Sequence, residues 1–367
     1  MNKLVTGNLV HRPLRSVISM FAVAIEVVMI LSIAAIMLGM LNGTKTRTSG
    51  IGMDMAARPG TTSNLVGVSG APAPLGVADK LRQVPHVQVA APVNIKLSGG
   101  AKLENIYGID YESYNALKPF VFLSGGPFQG PRDVIIDDYA AQSDKGYKVG
   151  STIIILNNQF RVCGIVEHGK GGRKFIPIRT LDDLAGDVGA SVFYLKTEDP
   201  PQYQDEVKKS ILATPGLGQY DVETLDELMS QLTPEKLPGF NVGLRVVIGI
   251  AVVIGFLVIF QSMYTAVMER TREIGILKSL GASRGYIVRV VLRETGLLAS
   301  AGILLGIGAT YILRAVLHTT SPTQDFAVTP GWVLRAVLIA FGGALLGALY
   351  PAWKAALKDP IDALSYE

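Results

Sequence analysis

Four long apolar runs punctuate the chain, with one long stretch of mixed polarity after the first. Val17 to Leu41 is interrupted only by Glu26, while Val246 to Met268, Thr295 to Leu313 and Ala336 to Trp353 carry no charge. The shortest holds 18 residues, about 27 Å at about 1.5 Å per helical residue. Apolar Trp332, Val333 and Leu334 lengthen it. A bilayer's hydrocarbon core is about 30 Å thick. The pattern predicts four transmembrane helices, over residues 17–41, 241–268, 289–317 and 331–353. A buried core helix of a soluble protein explains one such run but not four together.

Lys3, Arg12 and Arg15 precede the first run, as in a secretion signal. The run is 25 residues long, beyond the roughly 7–15 of a signal's apolar region, and no A-x-A-like cleavage site follows closely. It reads as an uncleaved anchor. In residues 1–16, Leu4, Val5, Leu9 and Val10 stand among polar neighbours. That suits a short pre-helix lying along the membrane face, or a solvated tail.

Residues 42–240 form the large insert. Residues 42–70, rich in Gly, Ser and Thr, read as an irregular exit from the membrane. Leu75 to Val84 reads as a helix stopped by Pro85. Val87–Leu97 and Leu103–Ile109 read as strands, and Asp133–Tyr139 as a strand leading into a short helix. Thr152–Leu156 and Gln159–Val166 are β-branched runs around Asn157-Asn158, a hairpin signature. Phe175–Ile178 and Ala190–Lys196 add strands, and Pro201–Ala213 and Thr224–Gln231 add helices. The insert is predicted to be an α+β domain, in one piece or two lobes, large enough for its own core.

Charge sets the orientation. Basic residues flank the spans at the N-terminus, between the second and third spans (Arg270, Arg272, Lys278, Arg284, Arg289, Arg293), and in the tail 354–367 (Lys354, Lys358). The loop 318–330 carries none. By the positive-inside rule both termini and the 269–288 loop are cytoplasmic, and residues 42–240 are outside. Those 199 residues carry 20 basic and 22 acidic side chains, and the remainder carries 14 and 8. The net +4 therefore comes from the cytoplasmic face, near anionic headgroups or a partner, and nucleic-acid binding loses its motivation.

The chemistry-bearing types are sparse. One cysteine, Cys163, excludes a disulfide framework, and its apolar strand suits a buried small hydrophobe. Four histidines far apart give no metal cluster. Leu97-Ser98-Gly99-Gly100 and Leu123-Ser124-Gly125-Gly126 match an ATP-cassette signature. No phosphate-cradling G-x-x-x-x-G-K-[ST] loop accompanies them, so they read as turn glycines. His168 to Lys174 reads as a basic flexible loop, solvated or touching an anionic headgroup or a partner. No catalytic constellation emerges.

Met268 to Arg293 is the most informative stretch. Ile274, Leu277 and Leu280 recur at steps of three, ringed by Glu269, Arg270, Arg272, Glu273 and Lys278. Gly281 is placed to cap the helix and Ser283 to start the next. This predicts a short amphipathic helix whose apolar face lies on the membrane or docks in a groove of a soluble partner.

The run E-R-T-R-E-I-G-I-L-K-S-L-G-A, the four-span layout with one insert, and the C-terminal Y-P-A-W-K-A-A-L-K-D-P-I-D-A-L resemble ABC transporter permeases of the FtsX/MacB type. Val134 to Val166, with Lys148-Val149-Gly150, is similar to that family's external domain. The resemblance implies four membrane helices with an α+β extracytoplasmic domain between the first two. It implies that the loop helix is a coupling helix touching an ATPase through Glu269, Arg270, Arg272, Glu273, Ile274, Gly275, Leu277, Lys278, Leu280 and Gly281. MacB carries its ATPase ahead of the first span, whereas this chain starts at the pre-helix. The ATPase, with its ATP and Mg, is therefore expected on a separate polypeptide in two copies, and this chain is expected to be no enzyme and to bind no cofactor or metal.

A second permease subunit completes such a system, a homodimer rather than a heterodimer. Gly302-x-x-x-Gly306 and Gly343-x-x-x-Gly347 allow close helix packing, within one subunit or between two. Glu26, the one acidic residue inside the four apolar runs, is placed at the dimer seam, in a structural hydrogen bond, or snorkelling toward the interface. The spans show no continuous polar stripe, so the output is expected to be motion outside the membrane. That motion would export or extract a drug, lipid or lipoprotein from a bacterial inner membrane, with a periplasmic adaptor. The alternatives are a non-transporting transmitter that works a cell-wall hydrolase or sensor, and an anchored receptor without an ATPase.

Overall fold

The computed structural model describes residues 13–60, 72–99, 103–142, 146–186, 188–234, 236, 240–320 and 325–357. Residues 1–12 of the expected pre-helix, 61–71 of the membrane exit and 358–367 of the tail lie outside them. The chain divides into two compact units, residues 1–39, 239–320 and 326–367, and residues 40–238 with 321–325.

The first helix, α1 (Pro13–Ser49), runs past the end of its apolar stretch. This corrects the irregular exit expected from residue 42. The hydroxyls of Thr44 and Ser49 bond back to the carbonyls of Met40 and Lys45, at 2.8 and 2.9 Å. Side chains that compete with the helix elsewhere are here absorbed by it.

The unit of residues 40–238 then builds β1 (Met55–Pro59), α2 (Val77–Arg82), β2 (Val87–Gly99), β3 (Leu103–Ile109), α3 (Tyr111–Leu117), β4 (Phe122–Gly125) and β5 (Asp133–Asp137). There follow α4 (Asp138–Gln142), β6 (Thr152–Ile155), β7 (Asn158–Val166), β8 (Lys174–Pro177), α5 (Ile178–Ala185), β9 (Val192–Thr197), α6 (Gln204–Ala213), β10 (Tyr220–Thr224) and α7 (Leu225–Gln231). Among the described residues there is one mixed sheet of ten strands, in the order β10-β1-β9-β2-β3-β8-β5-β7-β4 with β6 beside β7. The unit is therefore one α+β domain and not two lobes. Its β6–β7 turn falls at Leu156-Asn157, with φ of 47° and 60°. That is one residue earlier than the Asn-Asn pair suggests, because Ile155 already pairs with Asn158. Thr224 and Glu227 form a reciprocal capping box that starts α7. Three apolar clusters fill the unit: one around Tyr114, Phe120 and Phe175, one under α2 and α6, and one under α4 and α5.

The second unit takes α1 up to residue 39 and adds α8 (Phe240–Glu269), α9 (Thr271–Ser279), α10 (Arg284–Thr320) and α11 (Pro330–Leu357). Among the described residues, α1, α8, α10 and α11 are long and apolar enough to cross a membrane. Their shared core joins Val23, Val27, Ile30 and Leu31 to Ala251, Ile259, Leu298 and Ile303. On α11, Ala336, Ala340, Ala344, Ala348 and Ala352 repeat every fourth residue and are at most 2% exposed. This stripe of small side chains lets α11 lie close to its neighbours. Val246, Ile250, Val253 and Leu257 face outward from α8. Such exposure is costly in water but suits hydrocarbon.

Candidate functional site

The expected coupling helix is α9, and its geometry begins with how it is tied down. Arg270 immediately precedes it and is 9% exposed. Its guanidinium Nη1 donates to Glu294 Oε2 of α10 at 3.1 Å, and Glu294 is 4% exposed. At the other end, Lys278 Nζ donates to the Ala356 carbonyl of α11 at 3.0 Å. Gly281 closes the helix with φ of 91°, and its N–H donates to Lys278 O at 3.0 Å. Ser283 Oγ accepts the Tyr286 N–H at 3.2 Å and starts α10. The two capping roles read from Gly281 and Ser283 thus hold.

The faces of α9 differ from the expected ones. Ile274 is 9% exposed and packs with Val267, Ile287, Ala355 and Ala356, with Leu277 half-buried beside it. Gly275 is buried as well. Ile274, Gly275 and Arg270, expected to touch an ATPase, instead face this chain's own helices. Steps of three misled the reading: the helix turns every 3.6 residues, so Leu280 leaves the Ile274 face and joins Ile276. The outer face presents Glu269, Arg272, Glu273, Ile276, Leu280 and Gly281. Ile276 is 44% exposed and Leu280 80%. Ile276 was missed, although its four-residue spacing from Leu280 signals it. A cleft lies between α9 and α10, walled by Ile274 and Leu277 on one side and Tyr286, Ile287 and Val291 on the other.

The packing glycines are used within the chain. A Cβ on Gly302 would lie 2.6 Å from Met20 O, and one on Gly306 2.8 Å from Ala24 O, so α10 and α1 approach backbone to backbone. Gly347 does the same against Phe256 O of α8, at 2.9 Å, whereas a Cβ on Gly343 would meet only Glu26 Oε1, at 3.9 Å. Glu26 is 4% exposed, and its carboxyl fills the notch left by Gly255 of α8. The placement of Glu26 at a dimer seam is corrected: it lies inside its own helix group.

The unit of residues 40–238 revises two further expectations. Cys163 is half-buried and its thiol donates to Val134 O at 3.5 Å, with burial pushing its pKa up to about 12. Such a thiol is no nucleophile at neutral pH. The basic loop His168–Lys174 is not solvated throughout: its centre is buried, with Lys170 7% exposed and Gly171 and Gly172 buried, while His168 stays exposed. Burial pulls the Lys170 ammonium down to about 7.

Asp137, beside this loop, accepts the Ala140 N–H at 2.6 Å, and burial pushes its carboxyl from an ordinary 3.8 up to about 6. Between those values the folded chain keeps a proton that the unfolded chain has released. This residue's contribution is therefore full below about pH 4 and is lost as pH rises through 6, a change of about 2–3 kcal/mol. Asp137→Asn is expected to remove that part of the pH dependence. Denaturant midpoints of both proteins at pH 4.5 and 7.5 check it: unchanged slopes in the variant would contradict it.

Comparison with known proteins covers both units. The FtsX-like permease C-terminal family model matches residues 245–360. The MacB-like periplasmic core domain model matches residues 16–212, more than half of the chain. The chain is 25% identical over 237 residues to the uncharacterized ABC transporter permease MJ1507 of Methanocaldococcus jannaschii, covering 61% of this chain and 59% of that one. It is 25% identical over 301 residues to the macrolide export ATP-binding/permease protein MacB of Escherichia coli, covering 76% of this chain and 46% of that protein. The crystal structure of the periplasmic region of MacB from Actinobacillus actinomycetemcomitans gives a TM-score of 0.39 at 17% identity, over 53% of this chain and 97% of that one. The chain thus spans roughly half the length of these curated relatives.

Proposed function

Since the chain belongs to the MacB/FtsX family of ABC transporter permeases, a family that implies an ATPase partner, we propose that α9 is the dock for that partner. The ATPase is a separate polypeptide that supplies ATP and Mg chemistry in two copies. Two copies of this chain form the membrane part as a homodimer in a bacterial inner membrane, with both termini cytoplasmic. Hydrolysis moves α9, the membrane helices carry the motion to the external domain, and that domain drives export or extraction of a drug, lipid or lipoprotein, with a periplasmic adaptor.

One observation carries this reading. The inner face of α9 is bonded to α10 through Glu294 and to α11 through the Ala356 carbonyl, while Arg272, Glu273, Ile276 and Leu280 stay exposed. A helix held on one side and bare on the other passes a push on its free face to two membrane-length helices. Its mixed charge and two aliphatic side chains suit a protein groove.

The test is Ile276→Asp combined with Leu280→Asp. Neither side chain is buried, so the fold is expected to persist. Titrating the ATPase onto full-length permease in nanodiscs is expected to show binding weakened by at least about 30-fold, or about 2 kcal/mol. Wild-type affinity in the double variant would contradict the dock.

A further inference from the structure

The loop between β7 and β8 is packed in a way that its composition conceals. Gly171 N–H donates to the Arg47 carbonyl in the last turn of α1, at 2.9 Å. Gly50, just past that helix, leaves no room for a Cβ beside the Gly169 carbonyl. A Cβ on Gly171 would lie 2.7 Å from the Tyr114 hydroxyl and 3.2 Å from Ile51 Cγ1, and one on Gly172 would overlap the Tyr107 ring. These glycines permit close approach, and a flexible linker would not need them here.

Between them, Lys170 reaches inward. Its ammonium donates to the carbonyls of Tyr114, at 3.3 Å, and Lys118, at the C-terminal end of α3. A helix end leaves such carbonyls without intrahelical partners and carries partial negative charge, so a buried cation satisfies both. The ammonium also lies 3.9 Å from the Phe120 ring centroid, and the Tyr114 hydroxyl donates to Lys170 O at 3.2 Å. The loop's ends are fixed as well. His168 Nδ1 lies 3.0 Å from Asp138 Oδ1, its ring stacks on Tyr139 at 4.0 Å, and Asp137 N–H donates to Arg173 O at 2.9 Å.

We propose that His168–Lys174 is a clasp that fastens the external end of α1 to the sheet and passes its motion to β5 and β8, with Lys170 as the positioning residue that keeps it shut. Without the clasp the last turn of α1 would fray as helix ends do. Displacement of the helix would then be taken up in residues 50–54 before reaching the sheet. This rests on the transmission role proposed above.

The test uses amide hydrogen exchange of the full chain in nanodiscs. Lys170→Met keeps the aliphatic stem and loses the donor, and Tyr114→Phe deletes a single hydroxyl and guards against misfolding of the first variant. Amides 46–51 and 171 are expected to exchange at least about tenfold faster in Lys170→Met and about threefold faster in Tyr114→Phe, with β5 and β7 unchanged. No acceleration at 46–51, or equal acceleration throughout the external unit, would overturn the clasp. With the ATPase bound, ATP is expected to alter exchange at residues 46–51 and in β5 and β8 of the wild type, but only at 46–51 in Lys170→Met. Alteration of β5 and β8 in that variant would overturn the clasp while transmission stands. No nucleotide effect anywhere in the wild type would overturn transmission, and the first comparison would still decide whether Lys170 holds the joint.

Discussion

Arg270→Met is expected to destabilise the α8–α11 helix group by about 3–5 kcal/mol, the usual cost of removing one partner from a buried ion pair. The reason is Glu294, which would stay 4% exposed among Met263, Val267, Ile287 and Val291 with its 3.1 Å donor gone. The pair also anchors the first turn of α9, since Arg270 is its capping residue and Glu294 lies on α10. The single variant should therefore expose Arg272 and Lys278 to trypsin well before global unfolding. Arg270→Met with Glu294→Leu should recover most of the loss, because apolar side chains of similar volume replace a buried pair at little cost. Thermal midpoints and tryptic cleavage rates of the full chain in nanodiscs check both. A wild-type midpoint for the single variant would contradict the structural role of the pair.

Replacing both Gly302 and Gly306 by leucine is expected to separate α10 from α1. Even a single Cβ at each position would lie within 2.8 Å of Val23 or Val27 Cβ and as close to a backbone carbonyl. In lipid no hydrophobic drive holds helices together, so this close contact is itself the source of the affinity. Overpacking costs about 1–3 kcal/mol per site, so two sites one turn apart cost about 2–6 kcal/mol, a large share of the roughly 5–15 kcal/mol that keeps a typical protein folded. Gly308 offers a control on the same helix, because a Cβ there meets nothing within 4 Å. The folded fraction by size exclusion in detergent is expected to collapse for the double variant and to hold for Gly308→Leu. Equal behaviour of the two would contradict the packing.

The membrane helices were legible because hydrocarbon tolerates only long, internally bonded segments with few charges, and Val246 to Met268, which carries none, says so in its composition. The last turns of α1 were not, because Thr44 and Ser49 promise a loop until their hydroxyls are seen bonded to Met40 and Lys45. β1, with the sequence Met-Ala-Ala-Arg-Pro, carries no strand signature; it is a strand because β9 and β10 pair on either side of it. By contrast α3 announces itself with Asp110 as cap and Tyr114 and Leu117 three apart, a signal present but unread. The alanines from Ala336 to Ala352 at fourfold spacing were equally readable as a packing stripe.

In the site, the existence and ends of α9 were legible from Arg270 to Gly281, but its faces were not. An amphipathic pattern shows that one side is covered and does not say by what. Here Ala355 and Ala356 of the same chain cover it. Lys170 was invisible for a related reason: its partners are main-chain carbonyls of α3, which no composition or spacing encodes.

Opposite placement of α9 and the external domain is the premise of the whole coupling scheme, and single-thiol labelling reads it directly. Cys163→Ser clears the native thiol, after which Leu280→Cys, at an 80% exposed position, and Val188→Cys, at a 75% exposed one, are made separately. A membrane-impermeant maleimide added to intact cells is expected to modify residue 188 at once and residue 280 only after permeabilisation. Modification of both from the same side would contradict the account.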